Sequence, residues 1–137
     1  MWIGTNDIGN SGWATESQIP STLPLTAYTD CVYAQLDRLY AAGARSFVLQ
    51  NQGPLDLIPM YALPENGGVV APRYWKDKAQ YNANLTQVSE KMREYIVMIN
   101  EVYELRTQVD VLLKRKYPGS HFALFDTNAL VSISLFS

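Results

Sequence analysis

Near the amino end the run Gly4-Thr5-Asn6-Asp7 has residue types and an order that can do chemistry. A glycine permits a sharp backbone turn and lets another group approach closely. An asparagine just beyond it can aim its amide N–H at a developing negative charge, which is an oxyanion-hole role. Asp7 can cap the loop or orient its neighbours. The competing reading is an Asx turn, to which Asn and Asp after a strand are well suited, and from four residues alone the turn is the commoner outcome. Two further polar clusters, Asn51-Gln52-Gly53 and Asp126-Thr127-Asn128, follow other short apolar runs.

Other reactive side chains are few. The single histidine, His121, sits where a strand is predicted to start and reads as a strand-edge or surface residue rather than a catalytic base. Ser11, Ser17, Ser21 and Ser46 lie in no recognisable nucleophile elbow and beside no histidine. The single cysteine, Cys31, excludes an internal disulfide framework and reads as a small apolar packing residue. No spacing of His, Asp or Glu suggests a metal, and no cofactor is expected. Trp13, Trp75, Tyr28, Tyr61 and Tyr74 stand in or beside loops. Each can stack on a sugar ring or serve as ordinary packing, with Trp13 the better candidate for a cleft and Trp75 for packing.

The elements that must position these groups read as follows. The length of 137 residues suits one domain, and 47% apolar with 18% charged residues is the composition of a packed core. A net charge of −2 provides no general drive towards nucleic acid or anionic lipid. No stretch approaches the ~20 apolar residues of a membrane span. The first residues carry no basic or apolar signal-peptide regions. Met1 to Gly4 reads as a short strand, and Thr5 to Tyr28 as loop. A helix capped by Thr29 or Asp30 carries Val32, Leu36, Leu39 and Tyr40 and ends at Gly43. Arg45 to Gln50 is a strand, and Asn51 to Pro72 a second long loop. The stripe Leu85, Val88, Met92, Ile96, Ile99, Val102, Leu105, Val109 and Leu112 predicts one long or kinked helix between about Trp75 and Tyr117, with Met92 and Met98 as core filling. Asp110 and Lys114 form an i,i+4 pair, Lys114-Arg115-Lys116 suits the helix end, and Pro118-Gly119 stops it. Phe122 to Phe125 is a last strand. Strand, helix, glycine and strand in this order predict a parallel α/β sheet, with all three polar clusters at its carboxyl edge, where such sheets bind ligands.

Trp2-Ile3-Gly4-Thr5-Asn6-Asp7 resembles the third motif block, Gly-x-Asn-Asp, of the SGNH (GDSL-type) hydrolases. The series continues in order with Leu36-x-x-Leu39-Tyr40-x-x-Gly43-Ala44-Arg45-x-Phe47-Val48, then Asn51-x-x-Pro54-Leu55-Asp56-Leu57-x-Pro59, Tyr81-Asn82-x-x-Leu85 and Phe125-Asp126-Thr127-Asn128. The nearest resemblance is to fungal acetylesterases of carbohydrate esterase family sixteen, over about Trp2 to Leu130. The resemblance implies a three-layer, flavodoxin-like α/β fold and a serine esterase acting on small acetylated carbohydrates or related esters, extracellular, without nucleic-acid or membrane partners. Asn6 would be an oxyanion donor, Gly4 would shape its turn, and Trp13 would line the cleft. Asn84-Leu85-Thr86 is a glycosylation acceptor pattern at Asn84.

The sequence also departs from that pattern. It contains no Gly-Asp-Ser and no Asp-x-x-His, the blocks that supply nucleophile and base in that family. Without them an oxyanion donor has no charge to stabilise. The expectation is therefore a partial, incomplete SGNH domain over residues 1–137 that does not turn over esters as it stands. The alternative is a non-catalytic carbohydrate-binding or regulatory α/β protein. Oligomeric state is open. Val131 to Ser137 alternates apolar and polar residues, which reads as strand, whereas the resemblance implies helix.

Overall fold

The computed structural model describes residues 1–9, 24–75, 78 and 85–136. Two strands, β1 (Ser46–Gln50) and β2 (His121–Phe125), pair in parallel with Ser46 opposite His121 and Gln50 opposite Phe125. The ladder runs one step further, where the Asn51 N–H donates to Phe125 O at 3.1 Å. The predicted strand at Met1 to Gly4 shrinks to one paired residue. Met1 N donates to Val48 O, and the Gln50 N–H donates to Met1 O at 3.0 Å, along the edge of β1 away from β2. The chain then turns at Gly4 into the short helix α1 (Thr5–Gly9), so no further ladder can form there. This is the expected mixed α/β arrangement, a small parallel sheet flanked by helices.

Helix α2 (Leu25–Ala41) starts before the capping residues that its sequence suggests. Pro24 takes the N-cap position with extended backbone, while the Thr29 hydroxyl donates inside the helix to Thr26 O at 2.9 Å. At its other end Gly43 is left-handed, with φ 102°. Its N–H donates to Tyr40 O, and that of Ala44 to Leu39 O, each at 3.0 Å, the paired bonds of a Schellman cap. The buried face of α2 runs through Tyr28, Thr29, Val32, Tyr33 and Leu36. Cys31 lies beside that face and is exposed, contrary to the packing expectation, and so is Leu39.

The long helix α3 (Leu85–Gln108) buries Val88, Met92, Ile96, Ile99 and Tyr103 against α2 and the sheet. Each such buried apolar side chain contributes roughly 1.5–3 kcal/mol. The predicted stripe fails beyond Ile99. Two successive steps of three residues swing Leu105 about 120° off the buried face, so the core position passes to Tyr103. Leu105 and Leu112 are accordingly exposed, and Met98, one residue before Ile99, is exposed as well. The helix widens into a π-helical turn over Val109–Leu113, where the Lys114 N–H reaches Val109 O at 2.8 Å. It stops before Pro118-Gly119 because Arg115 adopts a left-handed conformation, φ 48°. The expected pair is present: Lys114 Nζ lies 3.4 Å from the buried Asp110 carboxylate.

The core face of the sheet presents Phe47, Leu49, Phe122 and Leu124 to this cluster. Beyond β2 the alternating tail is helical, forming α4 (Thr127–Phe136), so the strand reading of its pattern is wrong. Seven residues of alternation weigh less than a capped helix start. Asp126 Oδ1 accepts the Ala129 N–H at 2.9 Å, the N3 bond of an N-cap. The Ala129 N–H and then the Asn51 amide hold the Asp126 carboxyl below its ordinary range. Asp126→Ala is therefore expected to cost about 1 kcal/mol at neutral pH. A depressed folded-state pKa stabilises above the unfolded value of 3.8, and that stabilisation fades as pH falls through the folded value. Urea melts of both proteins at pH 7 and near pH 2.5 should show the gap closing at the lower pH.

Candidate functional site

Gly4 ends the sheet-side segment with φ 106°, a conformation open to glycine and costly for other residues. Its carbonyl accepts the Ile8 N–H at 2.9 Å and opens α1. No side chain fits at this position, because a Cβ would stand 1.9 Å from Tyr28 Oη. Asn6 follows on the first turn of α1 and is exposed.

The turn is fastened from beneath. Ile3 O accepts the Tyr28 hydroxyl at 2.8 Å and Gln52 Nε2 at 2.6 Å. Tyr28 Oη also lies 2.9 Å from Gln52 Nε2 and 2.5 Å from Tyr103 Oη. A phenol has one proton, so with that proton on Ile3 O the Tyr28 oxygen accepts from both neighbours. Burial pushes the Tyr103 hydroxyl up to about 12 and raises that of Tyr28 as well, so both remain protonated donors near neutral pH.

A cavity of about 440 Å³ opens beside this turn. Thr5, Asn6 and Gly9 of α1 line one part of it, and Leu55, Ile58, Met60, Tyr61 and Tyr74 of the following loop line the rest. The loop is braced internally. The Val69 N–H donates to Pro59 O at 2.7 Å, and the buried Lys78 ammonium donates to Val69 O at 2.8 Å. Tyr61 packs against buried Trp75 with ring centroids 5.7 Å apart. Tyr61 is thus a rigid wall, while Tyr74 is 62% exposed, with the Arg73 guanidinium 5.4 Å from its ring centroid.

The three polar clusters meet at the carboxyl edge of the sheet, as predicted. Asn51 Nδ2 donates to Asp126 Oδ1 at 2.8 Å, and Asn51 Oδ1 accepts the Asn128 N–H at 2.9 Å. Gln52 Nε2 donates to the carbonyl of Ile3, the residue that immediately precedes the third cluster at Gly4 to Asp7. Helix α3 contributes Asn100, whose Oδ1 accepts the Gln52 N–H at 2.8 Å and whose Nδ2 donates to Gln52 O at 3.0 Å. These amides mostly bond one another, so they set the geometry of the edge.

Of the predicted residues, Gly4 and Asn6 lie at this cavity and turn, with Tyr61 and Tyr74. Tyr28 is buried beneath the turn, and Trp75 packs in the core. Trp13 and Asn84 lie outside the described residues, as do Ser11, Ser17 and Ser21. Ser46 is exposed on β1. His121 opens β2 at its amino end, roughly 16 Å of extended chain from the edge that carries Asp126. Sequence reasoning missed Asn100 and Tyr103, and assigned Gln52 no role. An asparagine beside Ile99 on the buried stripe was the available signal for Asn100. Among the described residues no group of three His, Cys, Asp or Glu could hold a metal ion, and no helix is long and apolar enough to cross a membrane.

No protein-family model matches the chain. It is 34% identical over 131 residues to an acetylesterase of Hypocrea jecorina, covering 96% of this chain and 37% of that protein. It is also 34% identical over 94 residues to an acetylesterase of Thermothelomyces thermophilus, covering 66% of this chain and 30% of that protein. A mixed α/β chain with a parallel sheet, it is related to esterases over nearly its whole length. The relatives are acetylesterases, and the chain spans about a third of their length.

Proposed function

We propose that this chain forms the oxyanion-donor side of an SGNH-type acetylesterase site, with Asn6 as the donor. The carrying observation is that Asn6 lines a cavity at the carboxyl edge of a parallel sheet, on a turn held by Gly4 and two buried donors. The ligand class is an acetylated carbohydrate, such as a hemicellulose fragment. Tyr74 offers an exposed ring, and Ile58 and Met60 with buried Leu55 and Tyr61 form an apolar wall, while Asn6 donates to the acetyl carbonyl oxygen. The similarity to acetylesterases supports the ester. Trp13 belongs to the same cleft in this reading, and Asn84 is a glycan acceptor on an exported protein. The 137-residue chain itself binds without turnover, since its sequence holds neither Gly-Asp-Ser nor Asp-x-x-His.

Titration with acetylated xylotriose, followed by NMR, tests this. The Asn6 side-chain amide and Tyr74 ring resonances should shift, and Asn6→Ala should weaken binding about fivefold, the worth of one hydrogen bond. Equal affinity in Asn6→Ala rejects the donor assignment. Hydrolysis of an activated acetyl ester above the buffer rate, abolished in Asn6→Ala, rejects the claim that the chain does not turn over. Binding of the deacetylated sugar as tightly as the acetylated one favours the alternative of a carbohydrate-binding protein.

A further inference from the structure

We infer that Gln52 is a positioning residue for Asn6, acting through the Ile3 carbonyl; this rests on the reading of Asn6 as the oxyanion donor. Gln52 is completely buried at the carboxyl end of β1. Its backbone is pinned by three bonds: the N–H donates to Asn100 Oδ1 at 2.8 Å, and the O accepts from Asn100 Nδ2 at 3.0 Å and from Asn128 Nδ2 at 3.1 Å. From that fixed base Nε2 reaches Ile3 O at 2.6 Å, the atom that sets the peptide plane leading into Gly4. Tyr28 donates to the same oxygen from α2 at 2.8 Å. Two donors on one carbonyl determine the orientation of the Ile3–Gly4 peptide, and with it the direction in which α1 leaves the sheet. Asn6 stands two residues beyond.

The orientation of the Gln52 amide is itself determined. A carbonyl oxygen can only accept, so Nε2 and not Oε1 must face Ile3 O. The other end of the amide then has no hydrogen-bond partner among the described residues, although it is buried. A buried acceptor left unpaired is unfavourable, and an apolar side chain of similar size would remove that penalty. The amide is explained by what its donor holds, and what it holds is the turn that carries Asn6.

Gln52→Met keeps the length and volume of the side chain and removes the donor. In the full chain, amide hydrogen exchange and the Asn6 side-chain resonances read the outcome. The expected result is exchange of the Ile8 amide, bonded to Gly4 O, about five- to tenfold faster. The amides of Leu36 and Leu49 should keep their protection. The exposed Asn6 side-chain amide should change its resonance position, and acetylated xylotriose should bind as weakly as it does to Asn6→Ala. Tyr28→Phe removes the second donor and should move the same signals in the same direction, which keeps the test open should Gln52→Met fail to fold. Unchanged Ile8 exchange and Asn6 resonances in these variants overturn the inference. So does a uniform loss of protection across the chain, which is the mark of a purely structural glutamine. If Gln52→Met frees the turn while Asn6→Ala binds the sugar as well as the parent, the coupling of Gln52 to the turn stands and the oxyanion reading of Asn6 falls.

Discussion

Gly4→Ala is expected to destabilise the protein by at least about 3 kcal/mol and to abolish sugar binding at the Asn6 cavity. Two costs combine. An alanine at φ 106° is strained by its own backbone, typically by 1–3 kcal/mol. Its methyl would also stand 1.9 Å from Tyr28 Oη, 2.3 Å from Cζ and 2.6 Å from Cε2. Tyr28 cannot swing aside cheaply, because its hydroxyl is committed to Ile3 O and to the buried pair with Tyr103. The turn must open or α2 must shift, and either displaces α1. Urea unfolding of the two proteins measures the loss. Since ring carbons as well as the hydroxyl meet the new methyl, Tyr28→Phe should not rescue Gly4→Ala. A loss below about 1 kcal/mol, or rescue by Phe, contradicts the packing described.

The two adjacent glycines of the cavity loop should behave very differently. Gly68→Ala is expected to cost about 3 kcal/mol or more, and Gly67→Ala about 1 kcal/mol. A Cβ on Gly68 would meet Ala62 O at 1.9 Å and the Ala62 carbonyl carbon at 2.7 Å, backbone atoms with no rotamer to escape into. Gly67 is left-handed, φ 86°, but faces open space, so only its backbone strain counts. Ala62 follows Tyr61 directly, so Gly68→Ala should also loosen the Tyr61–Trp75 pair. Near-UV circular dichroism would read that change, and thermal melts the stability difference. Equal costs at the two positions would show that strain, not contact, governs this loop.

The two sheet strands were legible because short apolar runs carrying aromatic residues, Ser46–Gln50 and His121–Phe125, bounded by Gly, Asn and Asp, have few other uses. Gly43 was legible for a similar reason, since a glycine after a helical stripe suits the left-handed cap it forms. The errors are equally physical. The α2 start was misread because Thr29 and Asp30 are good caps in isolation, while proline at position 24 made an earlier start possible. The alternation in the tail was too short to compete with the cap at Asp126. Leu105 and Leu112 lie off the buried face because successive three-residue steps drift around a rigid helix, while Cys31 and Met98 are apolar residues on helix faces that the core does not reach.

What residue order alone determined is the set of local events: which runs extend, which coil, and which turns require glycine or a polar end. From these follow a parallel α/β chain and three polar clusters at one edge. Backbone preference and hydrophobic spacing act over a few residues and survive without the rest of the molecule. Only the tertiary structure decided that Tyr61 and Tyr74 share a cavity with Asn6, and that Gln52, Tyr28 and Tyr103 meet beneath Gly4. Gln52, Tyr28 and Tyr103 lie 24 to 75 positions apart in the chain. No local preference brings them together. They meet because α2 and α3 bury their apolar faces against one sheet, and that packing leaves the buried polar atoms few partners but one another.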